Sequence, residues 1–399
     1  MFSSSQLEQY AEIMLWALDA SRPAPIESGD AVLVRFDIPA LELAEALHRR
    51  LVKRHVNTVI RMNRTAAMEK DFYMNASPGQ LSFVSHGTSD LFEQVAGSIH
   101  LLAPQALTHL ADADPADIAA AARARKPFRD ILDRRELKGD FSWTLCLYPT
   151  AGLAEKAGLS LEEYARQVAK ACYLDRPDPL GEWKQTMKRV KELRSWLDGL
   201  DARRFRVESE HMDIEIDPGE ARSWEGLTGH NIPSFELYLS PDWRGTRGVY
   251  YADQPSYRGG NYVEGVRLEF VDGRVVDATA DRGEHFLQEQ LRMDEGASKL
   301  GEFSLTDKRF SGISKFMAMT LFDENFGGDF GNCHVALGAS YPSTYAGNPA
   351  ELSDERRRDL GFNSSALHWD LVNTEPKIVT ATLADGKTKV VYENGLFAC

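Results

Sequence analysis

The chain has 399 residues, more than one hydrophobic core usually supports, so two domains are expected. With 43% apolar and 27% charged residues it is not a disordered chain, and a formal net charge of −14 without any separate basic arm argues against a nucleic-acid partner. No window approaches about eighteen consecutive apolar residues, so no membrane partner or span is expected.

The N-terminus, MFSSSQLEQYAEIMLWALDA, carries acidic residues inside its apolar segment and reads as an amphipathic helix, not an export signal. Cys146, Cys172, Cys333 and Cys399 lie far apart without CxxC spacing, which suggests free thiols in a reducing cytoplasm. Leu7, Tyr10, Ala11, Met14, Leu15 and Leu18 recur at helical spacing. A strand over Ala31–Phe36, a helix from Pro39 through Arg54 and a strand over Val56–Met62 then make a βαβ unit, whose natural product is a parallel sheet. Strands at Ser98–Leu102 and Trp143–Tyr148 follow, with helices at Pro115–Ala124, from the capping box Ser160–Glu163 to Leu174, and at Trp183–Leu200. No G-x-G-x-x-G or Walker-type loop opens any of these helices, so a nucleotide site has no support.

From Phe205 the pattern changes to alternation. FRVES, MDIEI, FELYL, RLEFV, GRVVDAT, KIVTATL and TKVVYE are strand-like, and Asp272-Gly273 and Asp385-Gly386 sit between such runs as hairpin turns. Two helices interrupt them, Glu284–Leu291 and Lys315–Phe322. The expected fold is α/β: an N-terminal parallel-sheet α/β domain, residues 1–200, followed by a mainly antiparallel α+β catalytic domain, residues 201–399.

The candidate chemistry lies in that second half. On a strand, His368 and Asp370 of His-Trp-Asp share one face, about 7 Å apart, and His334 adds a third ligand for a divalent transition metal. Glu236 and Glu302 sit among apolar residues in strand-like runs. Such a carboxylate usually faces water; pointing inward, it needs a cation. Two glutamates, two histidines and an aspartate suit two metal ions and hydrolysis. There is no HExxH and no G-x-S-x-G elbow, and Cys333 is a poor nucleophile partner for His334 because neighbours on a strand point to opposite faces.

NIPSFE (231–236), the run from Tyr251 to Asp281, LGEFSLTD (300–307), LFDEN (321–325), CHVALGASY (333–341) and NSSALHWD (363–370) together resemble the thermophilic-type M29 metalloaminopeptidases in order and spacing. The resemblance spans about residues 205–397; the first half is compatible but less specific. It implies a cytoplasmic exopeptidase with two divalent ions (zinc, cobalt, manganese or magnesium) held by Glu236, Glu302, His334, His368 and Asp370. It implies Tyr341 as the catalytic tyrosine, Glu302 as general base as well as ligand, peptides with a free N-terminus as substrates, and a homodimer. Which carboxylate bridges the metals is left open. FGGDFGN lengthens the link before Cys333, and Ser234, Phe235 and Trp369 depart from the usual pattern, changes that bear on substrate preference. The competing reading is a mononuclear iron(II) ring-cleaving dioxygenase of the dihydroxypyridine type, using His334, His368 and Asp370 alone; such a site has no need of Glu236 and Glu302.

Overall fold

A computed structural model describes residues 1–399. In chain order the strands are β1 (Ala31–Phe36), β2 (Asn57–Met62), β3 (Gly97–Leu102), β4 (Ser142–Leu147), β5 (Ala202–Glu208), β6 (Asp213–Ile216), β7 (Asn231–Ile232), β8 (Glu236–Leu239) and β9 (Arg247–Ala252). They continue with β10 (Ser256–Arg258), β11 (Asn261–Val263), β12 (Val266–Val271), β13 (Arg274–Thr279), β14 (Leu300–Thr306), β15 (Asn332–Gly338), β16 (His368–Asn373), β17 (Ile378–Leu383), β18 (Thr388–Glu393) and β19 (Leu396–Phe397).

Two compact units result: Met1–Thr186 with Leu227–Ser234, and Met187–Gly226 with Phe235–Cys399. The division falls inside the helix Pro179–Asp198, ahead of residue 200, and returns β7 to the first unit. That unit is built on a five-stranded parallel sheet of order β2-β1-β3-β4-β7. The sequence assigns Asn231 to the second half, and two residues offer no period from which an added edge strand could be read. The βαβ expectation holds because Leu43, Leu47 and Leu51 bury one stripe of the helix Leu41–Lys53, while β1 buries Val32, Leu33 and Val34. No helix is long and apolar enough to cross a membrane.

The helix expected over Pro115–Ala124 runs to Leu137, passing through Pro127. Leu132 explains its extension, since it packs with Leu33, Val95 and Phe141 beyond the proline. The helix expected over Lys315–Phe322 shrinks to Thr320–Asp323. Upstream, Ala318 has φ 52° and the Asp323 carboxylate accepts from Met317 N (2.7 Å) and Met319 N (2.8 Å), so a side chain takes the backbone donors that a helix would use.

The second unit holds an eight-stranded sheet, β13-β12-β9-β6-β5-β17-β18-β19, and a four-stranded one, β16-β15-β14-β8; every pairing in both is antiparallel. Register divides the smaller sheet into two faces. Leu237, Leu239, Phe303, Leu305, Cys333, Val335, Leu337, Trp369 and Leu371 share one, and Phe303 packs on Phe205 of the larger sheet with ring centroids 5.9 Å apart. The other carries Glu236, Tyr238, Glu302, Ser304, His334, His368 and Asp370. Yet β14 and β15 are buried at every position, so the polar face is covered as well.

A one-residue irregularity sets this arrangement. Leu300 pairs with Leu337 but Glu302 pairs with Ala336, so Gly301 is an extra residue that switches the strand between faces. A Cβ there would lie 2.3 Å from the Ala339 carbonyl oxygen and 2.5 Å from that of Gly338, both backbone atoms. Gly301→Ala is expected to destabilise the protein by about 1–3 kcal/mol through overpacking, measured as a lower midpoint of urea unfolding. A midpoint equal to that of the parent would show that the bulge can relax.

Candidate metal centre

The polar face of the four-stranded sheet brings together five of the six residues singled out from the sequence. Glu236 enters from the start of β8, Glu302 from β14, His334 from β15, and His368 and Asp370 from β16. His334 Nε2 lies 3.2 Å from Glu236 Oε2 and 3.1 Å from Glu302 Oε1. His368 Nε2 lies 3.8 Å from the other Glu302 oxygen and 3.3 Å from Asp370 Oδ1. Glu302 is thus shared between the two histidines, one oxygen toward each. Cys333 points to the opposite, apolar face, as strand geometry requires.

Tyr341 follows β15 and stands beside the cluster with its ring tilted against His368, centroids 4.7 Å apart. Its backbone N–H donates to the buried Ser240 Oγ at 2.7 Å. Tyr341 is 37% exposed, but desolvation of the phenol, then the charges of Glu302 and Asp370, hold its pKa above the ordinary value, so it stays a proton donor at neutral pH.

One further acid belongs here. Glu324, 6% exposed, lies at the end of the four-residue helix Thr320–Asp323, and burial followed by the charges of Glu236 and Asp370 drives its pKa well up. Nothing in its spacing announces it; the available signal is an acidic pair inside Leu321-Phe-Asp-Glu-Asn325, of which Asp323 braces the preceding loop. Asn325 ties the neighbouring segments together. Its Oδ1 accepts from Phe235 N at 2.5 Å, and its Nδ2 donates to Leu321 O at 3.0 Å. Asn325 therefore fixes the chain next to both Glu236 and Glu324.

Four buried or nearly buried carboxylates, Glu236, Glu302, Glu324 and Asp370, face two imidazoles. With all four ionised, even two protonated histidines would leave excess negative charge, which a protein interior tolerates only beside cations or added protons. Donor chemistry fits divalent metals: oxygens plus imidazole nitrogens. His368 Nδ1 meets Ala339 O at 2.9 Å, and this bond fixes the tautomer with Nε2 turned to the acids, the arrangement of a metal-ligating histidine. His334 Nδ1 is buried without a partner, and the structure gives no reason for that. A second grouping, Glu210, His211 and Glu375, lies toward the surface and is accounted for by the His211–Glu375 ion pair.

Protons substitute for cations in the protein alone. Burial opposes charge on both histidines, but Glu236 and Glu302 outweigh it at His334, and Asp370 and Glu302 raise His368 to about 9. Burial also raises Glu302 despite its bond to His334, whereas His368 overcomes burial at Asp370 and brings it to about 2. In chelated protein the raised His368 contributes stability below its unfolded pKa of about 6.5, and this is lost as pH rises through 9. The depressed Asp370 contributes above about 3.9, and its contribution is lost as pH falls toward 2. With His368 as a candidate ligand, an entering cation would displace its proton, so metal affinity is expected to climb from pH 7 to 9 with protons released on binding. Titration calorimetry in two buffers of different ionisation enthalpy checks this, and buffer-independent heats would contradict it.

The profile of the thermophilic metalloprotease (M29) family matches residues 3–397. Aminopeptidase 2 of Geobacillus stearothermophilus is 29% identical over 333 residues, covering 77% of this chain and 78% of its own. Aminopeptidase PepS of Streptococcus thermophilus is 23% identical over 419 residues, covering 98% and 97%. Among solved structures, wild-type AmpT from Thermus thermophilus superposes with a TM-score of 0.79 at 21% identity, covering 99% of both chains. Parallel sheet, antiparallel sheets and family thus agree: the chain belongs to the thermophilic metalloprotease (M29) family.

Proposed function

We propose that this protein is an aminopeptidase that releases N-terminal residues from peptides, with Glu236, Glu302, Glu324, His334, His368 and Asp370 holding two divalent cations. The observation that carries the reading is the division of the Glu302 oxygens between His334 and His368 inside a buried, net-negative centre. It supports Glu302 as the carboxylate common to both ions. A mononuclear oxygenase site needs two histidines and one carboxylate, and would leave three further buried acids without a counter-charge.

Bound divalent ions supply Lewis acidity and lower the pKa of water. The chain's own groups do the rest. The proton of the attacking water passes to the departing amine by way of the buried carboxylates, whose pKa burial raises at Glu302 and Glu324. Tyr341 donates its phenolic hydrogen to the oxyanion that forms at the scissile carbonyl. Ser240 and the Thr344 hydroxyl, which donates to Tyr341 O at 2.9 Å, hold that residue in place from both sides of its backbone. The buried acids favour a substrate's protonated or metal-bound α-amine over an internal peptide group, which accounts for removal of the end residue alone. Zinc, cobalt, manganese and magnesium all suit the donor set, and a cytoplasmic homodimer completes the reading.

Purified protein is expected to carry about two divalent ions per chain and to hydrolyse aminoacyl-anilides, with activity lost on chelation. One iron per chain, and oxygen uptake with a hydroxylated pyridine, would overturn the assignment. Tyr341→Phe should retain both ions while kcat falls by about two to three orders of magnitude. Turnover close to that of the parent would remove Tyr341 from the mechanism.

A further inference from the structure

The first unit holds a cationic cluster that peptide hydrolysis leaves unused. Arg61 of β2, Arg35 of β1 and His100 of β3 are register partners across adjacent parallel strands, so their side chains leave one face of the sheet side by side. The helix Pro115–Leu137 lies over the same face, where its Leu132 packs with Leu33 and Val59, and it contributes Arg125. Burial, then the fields of Arg61 and Arg125, lower the pKa of Arg35, with Asp37 opposing.

One carboxylate, Asp37, answers only part of this charge. Asp37 also accepts from Asn63 Nδ2 at 2.8 Å with one oxygen and from Ala103 N at 2.7 Å with the other. Arg35 itself reaches only Asn63 Oδ1, at 3.4 Å. His100 adds no charge: burial and Arg35 push it down to about 3, and its Nε2 meets Ser98 Oγ at 3.2 Å. Other arginines of this unit are engaged by acids, as Arg49 and Arg50 are by Glu8 and Arg54 by Asp19, or by backbone carbonyls, as Arg22 and Arg135 are. Three guanidiniums against one carboxylate, in a chain of sixty acidic and 46 basic residues, leave a local positive excess suited to an external anion.

The location supports a ligand. Arg35 and Arg61 are the penultimate residues of their strands, at the carboxyl edge of the sheet. The order β2-β1-β3-β4 changes direction between β1 and β3, the place where open parallel sheets receive ligands. Guanidinium forks match phosphate oxygens, and a dianion balances more of the local charge than one carboxylate does.

We propose that Arg35, Arg61 and Arg125 form a site for a phosphoryl dianion, either free phosphate or the phosphate of a small monoester, separate from the metal centre. Arg61 and Arg125 are exposed, so replacing them spares the core. The test is equilibrium dialysis of the full chain with labelled inorganic phosphate and with glycerol phosphate at low ionic strength, for the parent and for Arg61→Gln/Arg125→Gln. Phosphate held by metal ions is common to both proteins, so the difference reports the arginine site. The parent should show one saturable site per chain that weakens at least tenfold in the double variant, with unchanged aminoacyl-anilide hydrolysis, and the tighter of the two probes identifies the form taken. Equal binding by both proteins, or displacement of phosphate by an equal concentration of acetate, would overturn the proposal.

Discussion

Three carboxylates on one covered face of a small antiparallel sheet, with Glu324 brought to them from the end of a short helix, impose the constraint around which the second unit is arranged. Glu236, Glu302, Glu324 and Asp370 repel one another in a medium that screens poorly, and two histidines cannot neutralise them all. In the protein alone, protons fill the gap, which is why His368 is raised and Glu324 cannot readily ionise. In the proposed reading, divalent ions satisfy the same charge and open a route to hydrolysis.

The surrounding structure holds these acids against their repulsion. Tyr250 of β9 donates to Cys333 O at 3.1 Å and Leu371 O at 2.6 Å, bracing β15 and β16 from the larger sheet. Ser304 Oγ reaches Glu236 Oε2 at 3.4 Å, and Trp369 Nε1 donates to Ser256 Oγ at 2.9 Å from the β10–β11 hairpin. Arg258 of that hairpin lies 5.5 Å from the Trp369 ring and lends its field to Asp370. These contacts hold the proposed ligands in place from the surrounding structure.

Much of this is legible in the sequence. Period-two patterning places His368 and Asp370 on one face and Cys333 opposite His334, and β1 occupies the residues its β-branched run indicates. The unread parts share a cause: they depend on contacts between distant segments. Glu324 follows a single helical turn with no period, and its membership in the centre becomes visible only when Asn325 is seen clasping Phe235. The Gly301 bulge is set by the closeness of Ala339, and the loop before Thr320 by the reach of Asp323 back to Met317. Pattern along the chain reports which face is buried; it does not report which loop folds over it.

The account rests on Glu302 serving two cations at once. Anomalous diffraction from crystals of the metal-loaded protein tests this most directly. Two peaks should appear on the polar face of the β16-β15-β14-β8 sheet, one beside His334 and one beside His368, each coordinated by a different oxygen of Glu302. A single peak, or two peaks with Glu302 bound to neither or to only one, would contradict the account.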